Sequence, residues 1–274
     1  MSQTKFLPVL MLLLLAGCGG LRNEVAALGL APATGLAPAT GGALADRPSA
    51  AEALARAREA DRLGKLDDAE RLYIVAADAG SPDARLALGV MYLAGRGVNK
   101  DYAEARHWLE PLARSGNPEA QARLGLIYET GGTGVTRDVD QSLLWYGRAA
   151  AQGHATAQYR AGQVQLQAIL GREDPARAMQ LFRAAAAQGH VQAQTAVGLL
   201  LLQGRGARQD IREALSWLKR GAEGGDPEAM LTLGRIYWEG QSVARNIPEG
   251  TRWLQQAASL GSEEARHELA LPPR

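Results

Sequence analysis

The residues of this sequence that could do chemistry are few and far apart. There are four histidines, His107, His154, His190 and His267. His154 and His190 fall in equivalent inter-repeat turns, which places them roughly 10 Å apart by helix packing distances, too far to share a metal ion. We interpret both as exposed turn residues. No serine lies in a Gly-x-Ser-x-Gly elbow. The sequence therefore predicts no catalytic residue, no metal site and no cofactor.

Nucleotides and nucleic acids are also poor candidates for a ligand. The glycine-rich segments at 95–98 and 131–135 neither follow a strand nor precede a Lys-Ser/Thr pair, so they are not phosphate-binding loops. The first seventeen residues carry one charged side chain, Lys5. The rest of the chain has 29 basic (Lys and Arg) and 29 acidic (Asp and Glu) side chains. A neutral chain has no bulk attraction for nucleic acid.

The single cysteine, Cys18, has a chemical role that its position indicates. It follows Lys5, an apolar run at 7–15 and the residues Leu15-Ala-Gly. About ten apolar residues cannot span a bilayer core, which needs about twenty, but they suit a signal peptide. Residues 15–18 resemble the lipobox of bacterial lipoproteins. That resemblance implies cleavage after residue 17 and acylation of Cys18. Gly19 in place of Asp implies the outer membrane, with the body in the periplasm.

The segment 18–48 has the composition of a tether. It is rich in Gly, Ala, Pro and Thr and repeats Leu-Ala-Pro-Ala-Thr-Gly at 30–35 and 36–41. Such a chain has little bulk to bury and is expected to be flexible, with a reach of about 30 Å. It would hold the folded body away from the membrane.

Beyond residue 80 the sequence repeats with a period of 36 or 37 residues. The first series of glycines is Gly89, Gly125, Gly162, Gly198 and Gly234. An acid or amide recurs at Asp101, Asp138, Asp174, Asp210 and Asn246. An apolar series, mostly tryptophan, is Trp108, Trp145, Leu181, Trp217 and Trp253. The second series of glycines is Gly116, Gly153, Gly189, Gly225 and Gly261.

Each series has a place in a unit of two helices. The first glycines lie inside a helix, where we expect the second helix to cross closely. Small residues would face them at Ala105, Ser142, Ala178, Ala214 and Gly250. The acid or amide caps the second helix, and four capping boxes are expected at Asp101/Glu104, Asp138/Gln141, Asp210/Glu213 and Asn246/Glu249. The tryptophans pack in the core, and the second glycines end the second helix in a left-handed cap.

These units resemble the Sel-like repeat family, a relative of the tetratricopeptide repeat. The resemblance lies in Leu-Gly-x-x-Tyr at 88–92 and 124–128, the Gly-x-Gly-Val loop and the Asp…Ala…Trp helix. It implies an all-α fold, a right-handed solenoid of helical hairpins. We predict five Sel-like repeats over 84–264, one tetratricopeptide-like pair at 50–80 and a C-terminal capping helix, within a domain of 49–271. The unit at 157–192 departs most from the pattern, and Pro111 is expected to kink its helix.

The family also implies a binding surface, since the first helices of its repeats line the concave side. One slot on that side holds Ala87, Arg123, Arg160, Ala196 and Thr232, and the slot one turn on holds Val90, Leu126, Gln163, Leu199 and Arg235. We predict that the polar members Arg123, Arg160, Gln163 and Arg235 contact a partner. Trp238 stands outside the tryptophan series, so it is expected to serve as an aromatic anchor. The alternative is a solvated groove with scattered charges.

The function that follows is binding without catalysis. We predict a membrane-anchored scaffold that binds a protein or peptide partner in the cell envelope and assists a complex such as an exopolysaccharide secretion system. The membrane contact is the lipid on Cys18, and neither nucleic acid nor a small-molecule substrate is expected. A periplasmic regulator that restrains a sensor protein is the second hypothesis. A hydrolase is the third, because some cysteine-rich members of the family are hydrolases, although they depend on disulfides that a single cysteine cannot form.

Overall fold

A computed structural model describes residues 48–167, 173–240 and 243–270, which form α-helices and no β-strand. The helices are α1 (Ala50–Arg62), α2 (Leu66–Asp78), α3 (Pro82–Ala94), α4 (Tyr102–Arg114), α5 (Pro118–Thr130), α6 (Val139–Ala151), α7 (Ala155–Leu166), α8 (Pro175–Ala187), α9 (Val191–Gln203), α10 (Ile211–Glu223), α11 (Pro227–Glu239), α12 (Ile247–Ser259) and α13 (Glu263–Leu269). The predicted signal peptide, Cys18 and nearly all of the tether lie outside the described residues.

Consecutive helices pair into hairpins that stack along the chain. Helices α1 and α2 form the first hairpin, and five more follow up to α11 and α12. The second helix of each hairpin packs against the first helix of the next, and α13 packs against α12. A helical hairpin cannot bury its apolar face alone, whereas a stack can. The predicted all-α solenoid of helical hairpins is confirmed.

The two helices of a repeat come closest at the first glycine series. A Cβ built on Gly125 would lie 2.5 Å from the ring of Tyr146 in α6, and one on Gly162 would lie 2.6 Å from the ring of Phe182 in α8. The equivalent partners of Gly89, Gly198 and Gly234 are Leu109, Leu218 and Leu254. Close crossing is therefore confirmed. The predicted small residues are buried, but the large side chain one turn beyond them fills the contact.

Both ends of the second helix follow local sequence signals. The second glycine series has positive φ, between 84° and 99°, and the hydrogen bonds around it form Schellman motifs, such as Asn117 N–H to Leu112 O at 3.0 Å and Gly116 N–H to Ala113 O at 3.1 Å. At the other end Asp138 accepts from the backbone of Gln141 at 2.9 Å. Side-chain caps are present at all five predicted positions.

The predicted capping boxes are wrong in the described repeats. The backbone N–H of each cap residue donates to a carbonyl of the first helix, as Asp138 does to Tyr128 O at 2.8 Å, so it has no need of a side-chain acceptor. Glu213 and Glu249 instead accept from the indoles of Trp217 and Trp253. Of the tryptophans, Trp145 and Trp253 are buried in the core, whereas Trp108 and Trp217 are partly buried and pack against it.

Pro111 does not interrupt its helix. Helix α4 continues through it from Tyr102 to Arg114 and is 13 residues long, like the other second helices. The chain thus tolerates the lost backbone donor without shortening the repeat.

Candidate functional site

The first helices of the repeats share one surface, here called the first-helix face. Helices α5 and α7 are in direct contact, while the second helices of successive described repeats have no comparable contact. At this point of the stack the first helices therefore approach each other more closely than the second helices do. Tyr159 on α7 lies within electrostatic reach of Asp226 and Glu228, two repeats further along the chain. These observations agree with the predicted concave side around α5 and α7, and the concave position of the whole first-helix face stays a prediction.

A cleft opens on this face between α5, α6 and α7. Its volume is about 180 Å³. Its lining residues are Glu119, Ala122, Arg123, Leu126, Tyr146, His154, Thr156 and Arg160. Two of the predicted partner-binding residues, Arg123 and Arg160, thus come together from different repeats.

One wall of the cleft is a charge cluster centred on Glu119. Arg123 donates through Nε to Glu119 Oε1 at 2.6 Å, and His154 Nε2 lies 2.8 Å from Glu119 Oε2. Burial raises the pKa of Glu119, but the bonds from His154 and Arg123 outweigh it and hold the pKa below its ordinary value. Glu119 is therefore an anion whose two oxygens both have donors.

His154 is part of the fold, and its interpretation as an exposed turn residue is wrong. Its Nδ1 accepts from the backbone N–H of Ala157 at 3.2 Å and so caps α7. An acceptor at Nδ1 places the proton of a neutral ring on Nε2, which then donates to Glu119. His154 thereby ties one repeat to the next.

Arg160 lines the cleft from α7, and Gln163 and Tyr159 lie next to it on the same helix. Arg160 Nη1 donates to Gln163 Oε1 at 3.4 Å, and Gln163 Nε2 donates to the Tyr159 hydroxyl at 2.9 Å. Arg160 forms no ion pair with any described residue. Gln163, a third predicted contact residue, therefore orients its neighbours beside the cleft.

His190 is the second misassigned histidine. It caps α9 through Nδ1, and its ring stacks on Tyr159 with 4.7 Å between ring centroids. Burial lowers the pKa of His190, and the positive charge of Arg160 lowers it further. The folded protein therefore favours the neutral imidazole.

This lowered pKa predicts a loss of stability in weak acid. Below the ordinary histidine pKa of 6.5 the unfolded chain takes up a proton that folded His190 resists, so the free energy of unfolding falls as pH drops towards the folded pKa. In the variant His190→Asn an amide keeps the cap, as Asn117 does in another repeat. We expect it to lose less stability than wild type between about pH 7.5 and about pH 5.5. Urea unfolding at both pH values measures this. The control His107→Asn, on the exposed surface of α4, should behave as wild type, and an unchanged loss in His190→Asn would contradict the expectation.

Two predicted contact residues do not belong to the cleft. Arg235 on α11 pairs with Glu268 on α13 at 2.5 Å, and so helps dock the terminal helix. Trp238 is not a free anchor: its indole donates to Thr251 Oγ1 at 3.0 Å, and its ring lies against Gly250 of α12. Trp238 lies outside the repeated tryptophan series because it packs at a different position, against the second helix of its own repeat.

Arginines in the loops between paired helices form ion pairs within the fold. Arg96 pairs with Asp61 and Arg205 pairs with Glu173, each at 2.7 Å, and in both pairs the acidic residue belongs to the preceding hairpin.

Among the described residues no group of His, Cys, Asp and Glu could hold a metal ion. Nor does any described helix have the length and apolar character needed to cross a membrane.

Sequence analysis missed Glu119, His154, Tyr146 and Tyr159 as parts of this site. Tyr146 donates from its hydroxyl to Glu129 at 2.7 Å, and burial, followed by that bond, raises its pKa. The signal that could have found His154 is its place in the chain, which in other repeats holds the cap residues Asn117 and Asp226.

Comparison with known proteins places these repeats among relatives. The family described as Sel1 repeat matches five consecutive stretches, 82–117, 118–154, 155–190, 191–226 and 227–262. A solved Sel1 repeat protein from Oxalobacter formigenes is 30% identical with a TM-score of 0.71, and the match covers 79% of this chain and 88% of that one. The antigen c5321 of uropathogenic Escherichia coli, with an SLR fold, is 31% identical with a TM-score of 0.66 over 74% of this chain and 43% of that one.

Curated relatives match over shorter stretches. The exopolysaccharide production negative regulator of Rhizobium leguminosarum bv. viciae is 39% identical over 70 residues, which are 25% of this chain and 26% of that protein. The chain spans 19% to 26% of the length of the curated relatives that it matches. The likeness to them is confined to a few repeats.

Proposed function

Because this chain belongs to the Sel1 repeat family, whose solenoids are typically non-catalytic scaffolds for protein–protein interaction, we propose that its first-helix face binds a protein partner in the cell envelope. The observation that carries the proposal is the cleft between α5, α6 and α7. It brings Arg123 and Arg160 together beside an apolar surface, and Arg160 has no carboxylate partner among the described residues. A partner that supplies one gains a charge-assisted contact.

The experiment that tests this proposal is site-specific photo-crosslinking in living cells. A photoreactive amino acid at Thr156, which lines the cleft, should form an adduct with one protein. The same amino acid at Leu144, which is 44% exposed on the second helix α6, is the matched control and should not. An adduct from Leu144 alone would place the partner on the opposite face and overturn the proposal.

The proposed location is the outer membrane, with a lipid anchor on Cys18 and the repeats in the periplasm. It is supported by the lipobox-like residues 15–18, by the apolar run before them and by the composition of 18–48. Several acyl chains anchor a protein stably where one chain gives only reversible binding.

The anchor leads to a prediction about Cys18. Cys18→Ala removes the thiol that carries the diacylglycerol, so we expect no incorporation of labelled palmitate and no processing by the lipoprotein peptidase. Radiolabelling and the electrophoretic mobility of the precursor measure both. A conservative control, Ser49→Ala, lies beyond the tether and should be labelled as wild type; label in Cys18→Ala would refute the anchor.

The partner complex that we propose is an exopolysaccharide secretion system. The Rhizobium relative named for exopolysaccharide production gives this some support, and its designation as a negative regulator favours the second candidate, a periplasmic regulator that restrains a sensor. The identity of the crosslinked protein separates the two: an export component supports assembly, and a sensor supports regulation.

A further inference from the structure

We infer that the cleft between α5, α6 and α7 recognises an acidic side chain, with an apolar residue beside it, on an extended segment of the partner protein. The inference rests on the proposed function, because it names the chemistry of the segment that the first-helix face would bind. Its central residue is Arg160, and the other residues of the cleft define what can reach that residue.

The two arginines of the cleft differ in how their charges are used. Arg123 is paired with Glu119, whose second carboxylate oxygen is bonded to His154. Arg160 has five N–H donors, and among the described residues its one hydrogen bond is the 3.4 Å contact to the neutral amide oxygen of Gln163. Arg160 as a residue is partly buried. A carboxylate that binds it by two parallel hydrogen bonds would meet a donor that is already held in place.

Further groups around Arg160 suit the same ligand. The hydroxyl of Tyr159 accepts from Gln163 and donates to no described group, so its proton is available to a carboxylate oxygen. Leu126, partly buried, and Ala122, almost fully buried, add apolar atoms to the lining of the cleft, which fits an apolar neighbour of the acidic residue. The volume of about 180 Å³ is below the roughly 300 Å³ at which small-molecule pockets begin, and it suits one side chain of a longer segment.

The negative charges nearby limit which anion can bind. Glu119 lines the same cleft, so a phosphate with nearly two negative charges would meet more repulsion than a carboxylate with one. Glu228 lies within electrostatic reach of Tyr159 but forms no ion pair with Arg160. Asp226 lies within the same reach of Tyr159, and neither acid forms an ion pair with Arg160.

Binding of a model peptide to the full chain in detergent micelles tests the inference. The probe is a fluorescein-labelled, C-terminally amidated hexapeptide with the sequence Ala-Leu-Glu-Leu-Ala-Ala, followed by fluorescence anisotropy. We expect its half-saturation concentration to be at least about tenfold lower than that of the peptide with Gln for Glu, as the loss of a hydrogen bond to a charged group implies. Arg160→Ala should abolish this preference, and Arg160→Lys should keep part of it. The matched control Arg220→Ala, on the second helix α10, should keep all of it.

The outcomes separate this inference from the proposed function. Equal binding of the Glu and Gln peptides to wild type, or displacement of the Glu peptide by inorganic phosphate at equal concentration, would overturn the inference. So would a partner that crosslinks from Thr156 and binds Arg160→Ala as well as wild type, although the proposed function would then stand. The helical spectrum and melting temperature of Arg160→Ala should match wild type, because Arg160 forms no ion pair in the described fold. If that variant unfolds, Arg160→Lys alone decides.

Discussion

Replacement of Gly125 by valine is expected to lower the free energy of unfolding by about 3 kcal/mol. A Cβ at this position would lie 2.5 to 2.7 Å from three ring atoms of Tyr146. That ring cannot move aside easily, because Tyr146 is 1% exposed and its hydroxyl is bonded to Glu129 at 2.7 Å. The two helices of the repeat would have to separate. Urea unfolding followed by far-ultraviolet circular dichroism measures the change.

Gly147 provides a matched control in the same repeat. It lies inside α6, and a Cβ there would have open space around it. Gly147→Ala should therefore stabilise the protein, by up to about 1 kcal/mol, because alanine restricts the unfolded chain and favours a helix. If Gly125→Val were as stable as wild type, or if both variants lost stability equally, close helix crossing would not be what the first glycine series provides.

The second large effect is expected at Phe182, which fills the same contact in the repeat that departs most from the pattern. Phe182 is 1% exposed and packs on Gly162. Its replacement by alanine should cost about 3 to 5 kcal/mol, as lost burial and an unfilled cavity predict. Urea unfolding is again the measurement. Leu144→Ala, at a side chain 44% exposed, should change stability by less than about 0.5 kcal/mol.

A double-mutant cycle shows whether the glycine and the aromatic ring act as a pair. Gly162→Ala alone should destabilise, because its Cβ would lie 2.6 Å from the Phe182 ring. In the double variant that methyl group enters space vacated by the ring, so the combined cost should be smaller than the sum of the two single costs. Strict additivity would mean that the two residues are not coupled.

Several features of the site were within reach of sequence reasoning, and others were not. The slots on the first helix indicated Arg123, Arg160 and Gln163, because a helical period determines which residues share a face. The same reasoning could not show that Arg235 pairs with Glu268 or that Trp238 lies on Gly250. A period gives the direction of a side chain but does not give the groups that it meets.

The sequence by itself determined the hairpin repeat, the helix caps and the close crossing at the first glycines. These features depend on short-range physics, since a cap and a left-handed glycine act within a few residues and the period is a property of one chain segment. Only the tertiary structure decided which charges are already paired. Glu119 and His154 are 35 residues apart, and Arg96 and Asp61 are likewise 35 apart. Such pairs form only when one repeat stacks on the next, and the rotation between repeats depends on the packing of the whole interface. Arg123 pairs with Glu119 one turn away in its own helix, whereas the stacked repeats offer Arg160 no carboxylate partner among the described residues.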